Sequence, residues 1–212
     1  MNELPWIDIF IIIFIGMGPI KVLLVYIGAT QEASQETRRL VARKAVTTAV
    51  IVGLILLIAG AIFMRILHFT SGALTIAGGL ILLILALNIV LGSGPEEHSG
   101  GAPDEARLLS MAIFPMGIPL LLNPVGIVAL TVFSAETESL VTLAIIAAMV
   151  LAVGIIDYLI FLASSRIDKY LTQERILVME KLLGILLAAL AVQMILNGLS
   201  SLGIISMTTG GH

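Results

Sequence analysis

The stretch WIDIFIIIFIGMGPIKVLLVYIGA (6–29) decides how this chain folds. It has the roughly 20 apolar residues that cross a bilayer. Yet Gly16, Gly18 and Pro19 stand near its middle, followed by Lys21. Proline removes a backbone donor and clashes with the preceding helical turn. Gly18 before it tolerates non-helical backbone. A lysine at that depth costs about 3 kcal/mol on insertion scales unless it finds a partner or water. Helix breaking inside lipid also frees backbone groups that lipid cannot satisfy. The span is therefore expected to be broken.

The same punctuation returns 105 residues later, at Asn123 and Pro124. At this offset Pro19 falls on Pro124 and Gly79 on Gly184. GLILLILALNIVLG (79–92) then faces GILLAALAVQMILN (184–197), with five of 14 positions identical and Asn88 opposite Gln193. One ungapped shift that serves two separated spans is the mark of an internal duplication. The second spans match poorly at the same shift.

The surrounding composition is that of a membrane protein. The chain has 212 residues, of which 59% are hydrophobic and 12% charged. No soluble domain has this balance. The net charge of −3 says little, because most charges fall in loops, but the lack of a basic surface argues against a nucleic-acid partner. There is no cysteine, which excludes disulfides, thiolate metal sites and a cysteine nucleophile. The start, MNELPW, lacks the basic and small-residue pattern of a signal peptide, so the first span is expected to be retained.

Six spans are expected: Trp6–Ala29, Ala45–Met64, Gly72–Gly92, Leu108–Ala135, Leu140–Ser165 and Leu182–Met207. The fold class expected is all-α, with six transmembrane helices arranged as two inverted three-helix repeats and with helices 1 and 4 broken. The repeats are residues 1–93 and 107–212, joined by a cytoplasmic linker at 94–106 whose core, GPEEHSGGAPD (94–104), is acidic and rich in glycine. An odd number of spans per half forces the halves into opposite orientations, as in many secondary transporters.

Loop charges set the orientation. Arg38, Arg39, Arg43, Lys44, Arg107, Arg166, Lys169, Arg175 and Lys181 fall on one side, and only Arg65 falls on the other. The positive-inside rule makes the first side cytoplasmic and both termini extracytoplasmic.

The broken spans form the expected binding site. Asn123 suits an N-cap and Pro124 a first helical position. Gly18 and Pro19 supply the matching break. Half-helix amino ends meeting near the midplane would present N–H groups and partial positive charge to an anionic group such as a carboxylate. For a single proline, the plain alternative is a kink set by packing.

Lys21 and Asp157 lie at similar expected depths and form a candidate ion pair. Three roles compete for them: structural glue, a proton carried by Asp157, or a substrate carboxylate held by Lys21. Asn88 and Gln193 are expected to bridge helices or line the path. His68, His98 and His212 form no ligand set, so neither metal nor cofactor is expected. No catalytic motif appears, and the chain is not expected to be an enzyme. Gly53, Gly60 and Gly78 are expected to face either another helix of the chain or a second copy in a homo-oligomer.

GMGPIKVLLVYIGAT (16–30), GGLILLILALNIVLG (78–92) and FPMGIPLLLNPVGIVALTVFSA (114–135) together resemble the MarC family of multi-pass membrane proteins. The order and spacing of all three blocks agree along essentially the whole chain. The family repeat motif of Asn-Pro, any residue, then Gly is met at Asn123, Pro124 and Gly126. The first half carries Gly18 and Lys21 at the positions of Asn and Gly. The resemblance implies an inner-membrane transporter exporting small neutral amino acids or related metabolites, with proton coupling. The rival readings are an ion or metal channel, which predicts conductance, and a membrane partner protein, which predicts no flux.

Overall fold

The structure is a computed structural model that describes residues 5–18, 20–92, 104–137, 139–167 and 173–206. The side chains of residues 20–21, 165–167, 173–176 and 180 lie outside that description, as do Pro19 and most of the linker. Among the described residues there are helices and no strands. The helices are α1 (Trp6–Gly16), α2 (Ile20–Thr30), α3 (Gln35–Leu67), α4 (Ser71–Leu91), α5 (Glu105–Met111), α6 (Pro124–Glu136), α7 (Leu140–Ile167) and α8 (Gln173–Ser201). A kinked segment, Ala112–Leu121, joins α5 towards α6.

The first apolar stretch is broken, as its composition demands. α1 and α2 have 11 residues each; the first ends at Gly16 and the second starts at Ile20. The fourth stretch breaks more elaborately. Phe114 and Ile118 take extended backbone inside the kinked segment, and each precedes a proline joined by a cis bond. The residue before proline is disfavoured in helical backbone. The axis then turns by 68° into α6.

Helices α3, α4, α7 and α8 are each long and apolar enough to cross a membrane, and the bent α5–α6 unit makes a fifth such element. α1, with 11 residues, is too short to do so alone. Isoleucines and leucines stay exposed around the outside, including Ile51, Ile58 and Ile66 on α3, Ile84 on α4 and Leu186 on α8. In water such faces would be a liability; in lipid they need no partner.

One expectation is corrected at the start of α3. Arg38, Arg39, Arg43 and Lys44 do not lie in a loop but on the first turns of a 33-residue helix. Ser34 caps it by accepting from the Thr37 N–H at 3.1 Å, and Glu36 suits the positive end of the dipole. A helix of that length spans about 50 Å, more than the hydrocarbon core needs. Lys181 likewise belongs to α8 rather than a loop. Its Nζ donates to the Ile89 and Gly92 carbonyls at the end of α4, the terminus where a cation is favoured.

Two packed clusters hold the molecule together. The larger gathers α1, α2, α3, the kinked segment, α6 and α7 around Met17, Ile27, Leu57, Leu121, Val150 and Phe161. The smaller joins α4 and α8 with Val128 of α6. α4 and α8 run antiparallel on small residues at seven-residue spacing: Gly72, Gly79 and Ala86 face Gly198, Ala191 and Gly184. A Cβ on Gly79 would sit 2.9 Å from the Ala191 carbonyl oxygen, and one on Gly184 would sit 3.4 Å from that of Ala86. Gly53, Gly60 and Gly78 also face inward, each against α6, at Leu130, Thr131 and Val128.

Candidate functional site

The two breaks meet at one point, where the end of α1 runs into the start of α6. Gly16 and Gly126 let the backbones touch. A Cβ on Gly126 would lie 2.5 Å from the Gly16 carbonyl oxygen, and one on Gly16 would lie 2.5 Å from the Gly126 Cα. No side chain fits between them. The helix that would have continued past Gly16 leaves its last carbonyls without N–H partners of their own. α6 supplies replacements. The Asn123 N–H donates to the Gly16 carbonyl at 2.9 Å, and Asn123 Nδ2 donates to the Ile15 carbonyl at 2.8 Å.

Asn123 also caps its own helix. Its Oδ1 accepts from the Val125 N–H at 2.8 Å and the Gly126 N–H at 3.3 Å. Pro124 has no N–H to satisfy, and the Ile127 N–H reaches the Asn123 carbonyl at 3.0 Å. The expectation of free N–H groups at this helix end is therefore corrected: in this conformation the cap and the helix use them. A buried donor without water must find an acceptor, and the Asn123 amide is the nearest one. Asn123 is 1% exposed, and Pro124 and Gly126 are buried with it.

Gly18 lies at the break beside Met17, which is fully buried. Pro19 and the Lys21 side chain lie outside the described residues, so the expected Lys21–Asp157 pair does too. Asp157 itself is 0% exposed on α7, and among the described residues neither carboxyl oxygen has a hydrogen-bond partner. Uncompensated burial of a carboxyl group is costly and uncommon. Asp157 is not at the crossing. A Cβ on Gly53 would lie 3.8 Å from Met17 Sδ and 3.7 Å from Val150 Cγ1, and Asp157 lies seven residues further along α7, roughly 10 Å at helical rise.

Other polar groups have plainer roles. Thr131 donates to the Ile127 carbonyl at 2.7 Å and Thr48 to the Lys44 carbonyl at 2.8 Å, each along its own helix. Ser134 of α6 accepts from the Ala61 N–H of α3 at 3.0 Å. Asn88 and Gln193 are exposed on the outside of the α4–α8 pair. Gln193 donates to Asn197 of its own helix at 2.8 Å rather than across to α4. Among the described residues, no group of three or more His, Asp or Glu side chains is placed to hold a metal ion.

A buried network at the basic end escapes sequence reasoning. Tyr26 donates to the Arg38 carbonyl at 2.8 Å, Arg38 Nε donates to Thr30 Oγ1 at 3.1 Å, and Thr30 donates to the Tyr26 carbonyl at 2.7 Å. Arg38 is only 6% exposed. The available signals are Ser34 as an N-cap, which starts α3 before the arginines, and the Tyr26/Thr30 pair spaced one helical turn apart.

Comparison with known proteins adds the lineage. A UPF0056 membrane protein of Methanocaldococcus jannaschii is 30% identical over 189 residues, covering 88% of this chain and 92% of the relative. A UPF0056 membrane protein of Aquifex aeolicus is 26% identical over 209 residues, covering 94% and 98%. The UPF0056 inner membrane protein YhgN of Escherichia coli K12 is 26% identical over 199 residues, covering 94% and 97%. No solved structure matches. The family model described as MarC family integral membrane protein matches residues 5–203, and the chain belongs to that family.

Proposed function

We propose that the protein is a secondary transporter of the inner membrane that exports small neutral amino acids or related metabolites, driven by protons. The observation that carries this reading is the buried crossing of two broken helices, joined by Asn123 in the middle of an apolar molecule. Irregular backbone at membrane depth is tolerated where it lines a site or a cavity. The substrate carboxylate would take the seat of Asn123 Oδ1 on the Val125 and Gly126 N–H groups. Asn123 would turn to orient the ligand, with Gly18, Pro19 and Lys21 supplying the facing wall. Asp157 is the candidate proton carrier, with Lys21 its candidate counter-charge.

The architecture in this reading is six spans in two inverted repeats, 1–93 and 107–212, with the linker and the basic end cytoplasmic and both termini outside. The broken α1–α2 unit is the first span and α5–α6 the fourth. Reciprocal contacts support it. Gly79 meets Ala191 and Gly184 meets Ala86, a pair of contacts exchanged by the 105-residue shift. The packing of α1 on α6 is matched in the same way by α2 on the kinked segment. The printed name of the Escherichia coli relative supports the inner membrane. Rocking of one repeat against the other would alternate access.

The test is counterflow of labelled glycine and alanine into liposomes holding the purified protein, with and without a pH gradient. Saturable, gradient-sensitive flux is expected. Absence of flux under both conditions, from protein that is folded by its melting transition, would overturn the reading.

A further inference from the structure

Helix α8 has two faces of different character. Gly184, Leu187, Ala191, Met194 and Gly198 are buried, chiefly against α4. Two residues further on, about 200° round the helix, come Leu186, Ala189, Gln193 and Leu196, all exposed. This outer face belongs to a stretch, Leu177–Ser201, that is long and apolar enough to cross the membrane. Lipid suits its leucines and its alanine. It does not suit a primary amide, whose N–H and C=O groups find no partner in hydrocarbon. Gln193 lies roughly 6 Å from the middle of that stretch at helical rise. Hydrocarbon extends about 15 Å to either side of a bilayer midplane, so the side chain is too short to reach the headgroups.

A second amide stands beside it. Gln193 Nε2 donates to Oδ1 of Asn197, one turn on and also exposed, at 2.8 Å. That bond leaves one N–H and the carbonyl oxygen of Gln193, and both side-chain N–H groups of Asn197, without a protein partner among the described residues. The outer face is also a repeated feature. The 105-residue shift carries every exposed residue of α4, from Ala73 to Leu91, onto an exposed residue of α8, and it carries Asn88 onto Gln193. Asn88 stands one turn from the end of α4, close to the headgroups. Gln193 is the amide left deep.

We infer that the outer face of α8 is the interface of a homodimer, in which Gln193 and Asn197 bond to the same two residues of a second copy. An amide is donor and acceptor at once, so the patch is self-complementary: the spare N–H groups of Asn197 suit the spare oxygen of Gln193. Between Lys181 and Ser201 α8 carries no charge, so nothing on this face selects a charged partner. Basic residues gather at one end of the molecule, and copies therefore enter the bilayer the same way up. The twofold axis then runs along the membrane normal and brings Gln193 beside its own copy at one depth. Ala189, one turn away, allows the backbones to approach, as small residues do between membrane helices. A single polar side chain in such a seam fixes its register. This interface stands whether or not the protein transports.

The chain has no cysteine, so single reporters can be placed in the natural background. Ala189→Cys and Leu196→Cys mark the seam, and Ile155→Cys marks an exposed face of α7. Each full-length variant is oxidised with copper phenanthroline, in its native membrane and in liposomes at high lipid-to-protein ratio. The two seam variants should form disulfide-linked dimers faster than the α7 variant by on the order of tenfold, because the interface raises the effective concentration of their thiols. Single-molecule bleaching of the Ile155→Cys protein carrying one dye then counts copies in the liposomes. Two steps are expected. Adding Gln193→Leu and Asn197→Leu should raise the dissociation constant on the order of tenfold with the melting transition kept, since both positions are exposed. Gln193→Asn, with Asn197 in place, should lose less. Equal cross-linking at Ala189 and Ile155, single-step bleaching at every dilution, or a dimer indifferent to the two leucines would overturn the interface. Seam cross-links in the native membrane to a protein of another size alone would overturn the second copy as its occupant. The cross-linking comparison decides the matter by itself if the leucine variant does not fold.

Discussion

The α4–α8 pair and the α1–α6 crossing both press backbone against backbone at glycine, with opposite consequences. In α4 and α8 the helices run on without a break, so every turn satisfies its own hydrogen bonds. Gly79 and Gly184 there serve only to bring two apolar cylinders close. In α1 and α6 the helices stop at the contact. Carbonyls at Ile15 and Gly16 and amides at Val125 and Gly126 are left over, and Asn123 connects them. Close approach between whole helices makes a rigid strut. Close approach between helix ends makes a polar joint whose bonds can be exchanged for others. The first is the better scaffold and the second the better site.

The comparison breaks most severely at Gly126. Gly126→Val puts a branched side chain where even a Cβ meets the Gly16 carbonyl oxygen at 2.5 Å. Backbone cannot give way as a side chain can, and no monodisperse protein is expected on size exclusion; a folded variant with the natural melting temperature would mean that the two ends do not touch. Gly79→Leu tests the strut. A Cβ there meets the Ile195 side chain at 2.8 Å and also the Ala191 carbonyl oxygen at 2.9 Å, so α4 and α8 must move apart, at a cost of about 3 kcal/mol in a denaturant titration.

Asn123→Ala removes the cap and the donor to Ile15 together. The cap is worth about 1–2 kcal/mol, and counterflow should be lost as well. Asn123→Asp keeps the cap oxygen but not the amide donor, so melting should recover more than flux. Equal recovery of both would separate the joint from the site. Lys181→Met removes the cation at the end of α4 and should cost about 0.3–1 kcal/mol with flux intact. Asp157→Asn should have the smallest effect on stability, since among the described residues neither carboxyl oxygen has a partner to lose. Its melting temperature should stay level or rise while gradient-driven flux disappears and counterflow persists. Unaltered response to the gradient would remove Asp157 from the coupling path.

Much of this was legible beforehand, for reasons that lie in local chemistry. Pro19, Asn123 and Pro124 announce breaks because proline and a capping side chain act within one helical turn. The family was visible in the spacing of the same blocks. The start of α3 was read too late because hydropathy marks where lipid begins, not where the helix begins, and Ser34 already caps the helix well before Ala45. The partners of Asn123 were not legible at all. Its Nδ2 reaches Ile15, 108 residues away, and local sequence does not encode a contact of that separation.

The sequence by itself determined that this chain is a helical membrane protein, where its helices break, and which end is basic. These follow from transfer energies and backbone stereochemistry, which each residue carries with it. Only the tertiary structure decided that Asn123 caps the Val125 and Gly126 N–H groups while reaching Ile15, that Asp157 lies fully buried, and that Arg38 is buried against Thr30 and Tyr26. Those depend on which surfaces meet, and that is fixed when leftover hydrogen-bonding groups, excluded from lipid, must find one another across the fold.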